Sequence, residues 1–545
     1  MSGIITAPAF NNVFTETRDN PTMQGLVTAI YEIGCLVGAM FILGVGDLLG
    51  RRRAIMLGAF IMLLGVIIQI TSMAGSNPIV QIIIGRIVMG VGNGINTSTI
   101  PTYQGEHGKP DAIGSCIDAN KPAECSKTSN RGLLICIEGS TIAFGTLIAY
   151  WIDYGASYGP DDLVWRFPIA FQVIFAIFII IPMIFLPESP RWLLSHQRVD
   201  DADRVISAIR GYEIDSEETM QERNLILDSL RAAGGFGQKS TPMKALTTNG
   251  KTQHLRRMLL GSSAQFFQQI GGCNAVIYYF PILFERSIGQ DHNMSLLLGG
   301  VNMVVYSIFA TSSWFLIERV GRRKLFLIGS VGQCLSMVLV FACLIPDNPM
   351  TARGSAVGLF TYIAFFGATW LPLPWLYPAE VNPVKTRGKA NAVSTCVNWT
   401  FNFLIVMVTP IMVDKISWGT YLFFAAINAC FIPVIYFFYP ETARRSLEEI
   451  DIIFAKGHAE NISYVKAAKE LPHLAPAEIE EYALRYGLVD QTTSTGGARN
   501  PRDEEEKAAV NGQSSNSSND MIVNEHGGES GFGDGLNMSK KADEN

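Results

Sequence analysis

Residues 265 to 280, QFFQQIGGCNAVIYYF, place three glutamines and an asparagine inside an apolar stretch of helical period: Gln265, Gln268, Gln269 and Asn274. In lipid such amides are costly unless something satisfies them. Each one both donates and accepts, which suits the hydroxyls of a sugar or polyol. Gln268 and Gln269 diverge by about 100° on a helix yet share one broad face, and a bend at Gly271-Gly272 brings Asn274 round to them. The plain alternative is glue, the same amides bonding neighbouring helices. The cluster of three amides, Gln268, Gln269 and Asn274, beside two glycines and Tyr278-Tyr279 favours a solute site.

A second set of residues is charged, and it repeats. GDLLGRRR (46–53) is echoed by ERVGRRK (318–324), PESPR (187–191) by PETAR (440–444), and Arg131-Gly132 by Arg387-Gly388. One constellation holds Asp47, Arg51, Arg52, Arg131, Glu188 and Arg191. The other holds Glu318, Arg322, Arg323, Glu380, Arg387 and Glu441. Orienting a membrane protein requires only the cations, so the paired acids read as a gate. Surface ion pairs are individually weak, but a network between rigid bundles biases one conformation by a few kcal/mol. No nucleophile–base set and no metal-ligand spacing occurs. The nine cysteines lie mostly in apolar runs without C-x-x-C spacing. Neither an enzyme, a metal site nor a cofactor is expected, and the cysteines read as packing residues.

Such residues need membrane helices to hold them. The 545-residue chain is 48% hydrophobic with positive mean hydropathy. Eleven segments are long and apolar enough to span a bilayer: 23–46, 54–74, 79–103, 131–153, 166–186, 255–283, 294–318, 324–345, 354–378, 389–413 and 418–439. Basic loops fall on every second connection, which puts them and the C-terminus in the cytoplasm. Because loops and tail dominate the charge sum, the net charge of -6 says little about partners. The ordered echo of motifs predicts a duplicated six-helix bundle. The expected organisation is an N-terminal bundle (1–190), a cytoplasmic linker of short amphipathic helices (191–254), a C-terminal bundle (255–443) and a cytoplasmic, mostly disordered tail (444–545).

D-x-x-G-R-R after the second helix, P-E-S-P-R-W-L after the sixth, Q-Q-x-x-G-x-N in the seventh and P-E-T after the twelfth resemble the sugar porter family of the major facilitator superfamily. GSTIAFGTLIAYWIDYG (139–155), RRKLFLIG (322–329) and RSLEEIDIIFAK (445–456) are similar to yeast glycerol–proton symporters and related fungal sugar transporters. The resemblance implies an all-α membrane protein of the major facilitator fold, working by alternating access around one central site. It implies solute binding by Gln268, Gln269, Asn274, Asn302, Trp375 and Asn398. It departs from the family at Thr146 and Leu371, so substrate identity does not carry over with the fold.

Two further expectations concern the first bundle. MSGIITAPAF resembles the middle of the family's first helix, so that helix reads as truncated, and with it goes the family's proton-carrying aspartate. Arg86 in GRIVMG is the family partner of that acid, expected here without it. Residues 106–123 read as an extra segment, a retained intron, because the first half carries about 18 more residues than the second between matching landmarks. The expected function is transport of a monosaccharide or polyol across a fungal plasma membrane by a monomer in the lipid bilayer, proton-coupled in the full-length form. The alternatives are a transport-deficient sensor or a facilitative uniporter, and no nucleic-acid partner is expected.

Overall fold

The computed structural model describes residues 2–5, 7–18, 20–72, 77–107, 126–232, 243–285, 289, 291–346, 348–383 and 386–488. Side chains at 104–107 and 126–131 lie outside that description. The suspected extra segment therefore falls almost wholly outside the described residues, as does the side chain of Arg131.

Two short helices, α1 (Ser2–Ile5) and α2 (Pro8–Val13), stand where the first membrane helix is expected. The rest of the first bundle is α3 (Pro21–Leu49), α4 (Arg51–Ile70), α5 (Pro78–His107), α6 (Ser126–Ala156) and α7 (Asp161–Phe185). Helices α8 (Pro190–Ser195), α9 (Val199–Arg210) and α10 (Glu217–Ala232) follow. Their apolar faces meet in a small core of Trp192, Leu193, Leu194, Ala202, Val205 and Leu230. The Trp192 indole donates to the Asp47 carbonyl at 2.8 Å, which ties this cap to the end of α3.

The second bundle holds α11 (His254–Ile270), α12 (Cys273–Leu283), α13 (His292–Val320), α14 (Arg322–Leu344), α15 (Pro349–Phe365), α16 (Leu373–Val381), α17 (Arg387–Ile416) and α18 (Gly419–Phe438). Among the described residues ten helices are long and apolar enough to cross a membrane. The eleventh expected segment, 255–283, is a broken one, split into α11 and α12 at Gly271-Gly272. Gly272 takes φ +96, where L side chains are strained, and a Cβ there would collide with the Phe424 ring. The Gly271 carbonyl, freed by the break, accepts from the Tyr362 hydroxyl (2.9 Å) and the Asn428 amide (3.0 Å). The break is thus buttressed from α15 and α18.

The tail departs from the expectation of disorder. Residues 447–485 form α19 (Leu447–Ala459), α20 (Tyr464–Glu470) and α21 (Pro476–Arg485). A reciprocal Ser446–Glu449 capping box starts α19. Buried Arg257 at the start of α11 pairs with Asp451 at 2.6 Å and lies over the Phe454 ring at 4.7 Å. Residues 1–488 form one compact unit, and 489–545 lie outside the described residues.

Candidate solute site and coupling charges

The amides of α11 and α12 meet partners created by prolines elsewhere. Proline has no N–H, so it frees the carbonyl four residues before it. In α16 and the turn preceding it, Pro374 frees Trp370 and Pro378 frees Pro374. Gln268 Nε2 donates to the Trp370 carbonyl at 2.8 Å and the Leu371 carbonyl at 3.3 Å. Gln265 Nε2 donates to the Pro374 carbonyl at 2.8 Å. These two glutamines act as the glue that the sequence left as an alternative.

From them a ladder of amides runs toward the break. Asn398 of α17 donates to Gln265 Oε1 and, at 3.1 Å, to Gln268 Oε1. Gln269 Nε2 lies 3.5 Å from Gln268 Oε1. Asn274 Nδ2 donates to Gln269 Oε1 and to Asn402 Oδ1, each at 2.6 Å. Gln268 is saturated by this count. Gln269 keeps one N–H, and Asn274 and Asn398 keep their Oδ1 atoms, without a partner among the described residues. Asn302 is fully buried in α13, and both its amide atoms are unpartnered. Trp375 is half-buried and its indole makes no hydrogen bond among the described residues. Neither Asn302 nor Trp375 joins the ladder by a hydrogen bond. Gln265 and Asn402 do, although neither was assigned a role in binding from the sequence.

Arg86 is not alone. Glu32 of α3 sits within its electrostatic reach, buried to 1% exposure beside it. The acid near Arg86 thus comes from the second membrane helix, not from the first, where the family's acid is expected. Arg86 donates to the Thr28 carbonyl at 2.9 Å and lies over the Tyr31 ring at 5.5 Å. No direct Arg86–Glu32 bridge forms, and Arg86 Nε and Glu32 Oε2 are both buried without partners. Tyr278 of α12 lies within electrostatic reach of both Glu32 and the Asn402 amide. Glu138 of α6 is a further half-buried acid between apolar neighbours, and the sequence reading passed over it as well. A scan for carboxylates inside the apolar segments finds both.

The charged end shows one turn built twice. Gly50 (φ +85) and Gly321 (φ +94) end α3 and α13, and each lies against the carboxylate of Glu188 or Glu441. Glu188 accepts from the Arg51 and Arg52 backbone N–H groups (2.9 and 3.1 Å). Glu441 accepts from Arg322 and Arg323 (2.8 and 3.1 Å). Each acid thus caps the next helix at its positive N-terminus. Arg52 and Arg323 reach across to free carbonyls, of Ile184 (2.6 Å) and Tyr436 (2.7 Å). In the second half Arg322 is buried and bonded to Glu318 and Glu380, each at 2.8 Å, and Thr442 donates to Glu380 at 2.6 Å. Gly132 of α6 abuts Glu318 and Arg322, so this cluster touches the first bundle. In the first half Arg51 pairs with an exposed Asp47 at 3.2 Å. Arg387 donates to the Asn382 carbonyl, and half-buried Arg191 makes no ion pair among the described residues.

Two matching bundles of membrane helices, a broken helix lined with amides and a twice-built arginine turn define a membrane transporter of the major facilitator type, not an enzyme. The chain belongs to the family described as "Sugar (and other) transporter", whose profile matches residues 1–454. It is 43% identical over 528 residues to the sugar transporter STL1 of Saccharomyces cerevisiae, covering 96% of this chain and 89% of that protein. It is 42% identical over 499 residues to the major facilitator superfamily transporter mfsA of Aspergillus fumigatus, covering 90% and 88%. Among solved structures, the proton:xylose symporter XylE bound to 6-bromo-6-deoxy-D-glucose superposes with TM-score 0.66 at 23% identity, covering 83% of this chain and 94% of that one. The partially occluded inward-open form of the E. coli xylose transporter gives TM-score 0.64 at 21% identity, covering 81% and 93%. These structures establish the shared fold.

Proposed function

We propose that the protein carries a monosaccharide or polyol across the membrane together with protons, by alternating access between its two bundles. The observation that carries this reading is the set of open hydrogen-bonding positions beside the break in the seventh membrane helix. Gln269 offers an N–H and Asn274 and Asn398 offer acceptors, a mixed set that matches hydroxyl groups; the family resemblance adds Asn302, whose buried amide is unpartnered. Trp375, half-buried on α16, would stack on the C–H face of the solute. The relatives support the solute class, since one is named a sugar transporter and a structural neighbour a proton:xylose symporter.

The arginine clusters lie at the end that the basic loops assign to the cytoplasm, so the reading makes them the inner gate, with the C-terminal helices on the same side. A fungal plasma membrane and a monomeric carrier complete the proposal. Vesicles holding the protein are supplied with labelled glycerol, glucose, xylose or galactose under an inward proton gradient. Uphill accumulation of at least one of them, collapsed by a protonophore, is the expected result. Saturable binding without flux would replace transport by sensing, and flux that only equilibrates would leave a uniporter.

A further inference from the structure

Glu32 is the membrane-interior acid with the most unusual surroundings. It lies mid-helix in α3, it is 1% exposed, and one carboxylate oxygen has no partner. Carrying a full charge there costs several kcal/mol unless the geometry of a counter-ion is excellent. The nearby cation, Arg86 of α5, acts on it through space with its own Nε unpartnered. A carboxyl short of a partner and held apart from its cation is poised to change protonation when either moves.

Every titratable group facing Glu32 can be named. Tyr31 and Cys35 come from its own helix, Arg86 from α5 and Tyr278 from α12. Tyr279 of the same segment faces both Glu32 and Arg86. Among the described residues, α4 and α17 carry charges only toward their ends, away from this depth. Gly34 and Gly90 bring the α3 and α5 backbones into contact around the pair, so Glu32 and Arg86 move as one body. Tyr278 belongs to the other bundle. It lies within electrostatic reach of Glu32 and of the Asn402 amide, and Asn402 accepts from Asn274 at 2.6 Å. A row of polar side chains, Tyr278, Asn402 and Asn274, thus stands between Glu32 and the amides at the helix break.

We propose that Glu32 is the carboxyl that takes up and releases the coupling proton, and that Tyr278 and Asn402 connect it to the solute amides. The reading rests on the symport proposed above. The step is a simple proton exchange: an O–H bond forms at the free carboxylate oxygen with a proton from the aqueous side that is open. That bond breaks again when the site opens to the other side, and nothing is oxidised or reduced. While ionised, Glu32 attracts the Tyr278 hydroxyl and draws α12 toward α3. Protonation weakens that link, leaving Asn402 and Asn274 free to turn toward the solute. Because coupling is reciprocal, a bound solute must favour the protonated carboxyl by the same factor that the proton favours the solute.

The test uses the full chain in proteoliposomes with labelled glycerol and xylose as probes, comparing wild type with Glu32→Gln. The substitution keeps the shape and mimics the protonated acid. Wild type is expected to concentrate one of the probes under an inward proton gradient. Glu32→Gln is expected to lose that accumulation while still exchanging labelled for unlabelled solute between the two sides. Accumulation by Glu32→Gln at the wild-type level overturns the proposal. Wild type that equilibrates both probes without concentrating either one overturns the symport reading itself, a distinguishable outcome. If Glu32→Gln yields no folded carrier, Glu32→Asp is used, and the pH midpoint of uphill uptake is read. A displaced midpoint supports the assignment, and an unchanged one sinks it.

Discussion

In the first bundle the interior of the spans carries charge: Glu32 on α3, Arg86 on α5 and Glu138 on α6. In the second bundle the same depth carries amides, Gln265, Gln268, Gln269, Asn274, Asn302, Asn398 and Asn402. The described charged residues of its membrane helices stand toward the helix ends. A chain that duplicated one bundle has thus kept its buried charge in one half, although that half holds buried amides too, Gln69 of α4 and Asn96 of α5 among them. Charges respond to pH and cost much to bury, while amides hold hydroxyls at every pH of interest. Between these regions stands Tyr278, within electrostatic reach of both Glu32 and Asn402. Coupling by this account is a matter of that contact, with no titrating group in the solute site.

At the charged end the contrast is one of depth. Both halves build the same capped arginine turn, but Arg322 is nearly inaccessible between Glu318 and Glu380, while Asp47 opposite Arg51 is 73% exposed. The largest expected effect follows from this. Arg322→Ala strands two acids, one of them fully desolvated, and breaking a buried pair in this way costs about 3–5 kcal/mol. A fall in the thermal midpoint of the purified carrier, well beyond that of any surface variant, is the readout. A shift no larger than that of Asp47→Ala would erase the contrast.

Within the second bundle, Gln268 and Gln269 are adjacent in sequence and opposite in expected effect. Gln268→Ala abandons the Trp370 carbonyl that Pro374 freed, and leaving such a group unsatisfied costs about 1–3 kcal/mol of stability. Gln269→Ala removes a group with an open N–H, so solute affinity is expected to fall by roughly 5- to 150-fold, the equivalent of about 1–3 kcal/mol. Its thermal midpoint should stay near that of wild type. Paired binding and melting curves for the two variants check this, and equal destabilisation with unchanged affinity would make both of them glue.

The smallest effect is expected at Asp47→Ala, where an exposed pair contributes at or below about 1 kcal/mol. Uptake measured at low and high salt should differ little between this variant and wild type, because salt already screens such a pair.

Much of this frame was legible in the sequence. The span positions follow from hydropathy, and the twin GRR turns with their distant acids announce the duplicated gate. The amides stood out because polar residues inside apolar runs demand an explanation. The role of Gln268 was hidden, because it depends on carbonyls freed by prolines about a hundred residues away. Asn402 was hidden likewise, since its part in the ladder is made by the packing of α17 on α12. Glu32 was missed for a different reason. The resemblance directed attention to an aspartate of the first helix, while YEIGC at 31–35 carried an acid in plain sight. The helices after Leu447 were missed because short helices stand through packing, here on Arg257 and the end of the bundle, with only the S-L-E-E capping box as a local sign.

The division between charged and amide halves is tested most directly by the pH dependence of solute affinity in wild type, Glu32→Gln and Gln269→Ala. The account predicts that wild-type affinity falls as pH rises and Glu32 loses its proton. Glu32→Gln should bind at every pH as wild type does in acid. Gln269→Ala should bind more weakly throughout yet keep the wild-type slope. A wild-type slope that survives Glu32→Gln, or one that vanishes in Gln269→Ala, would contradict it.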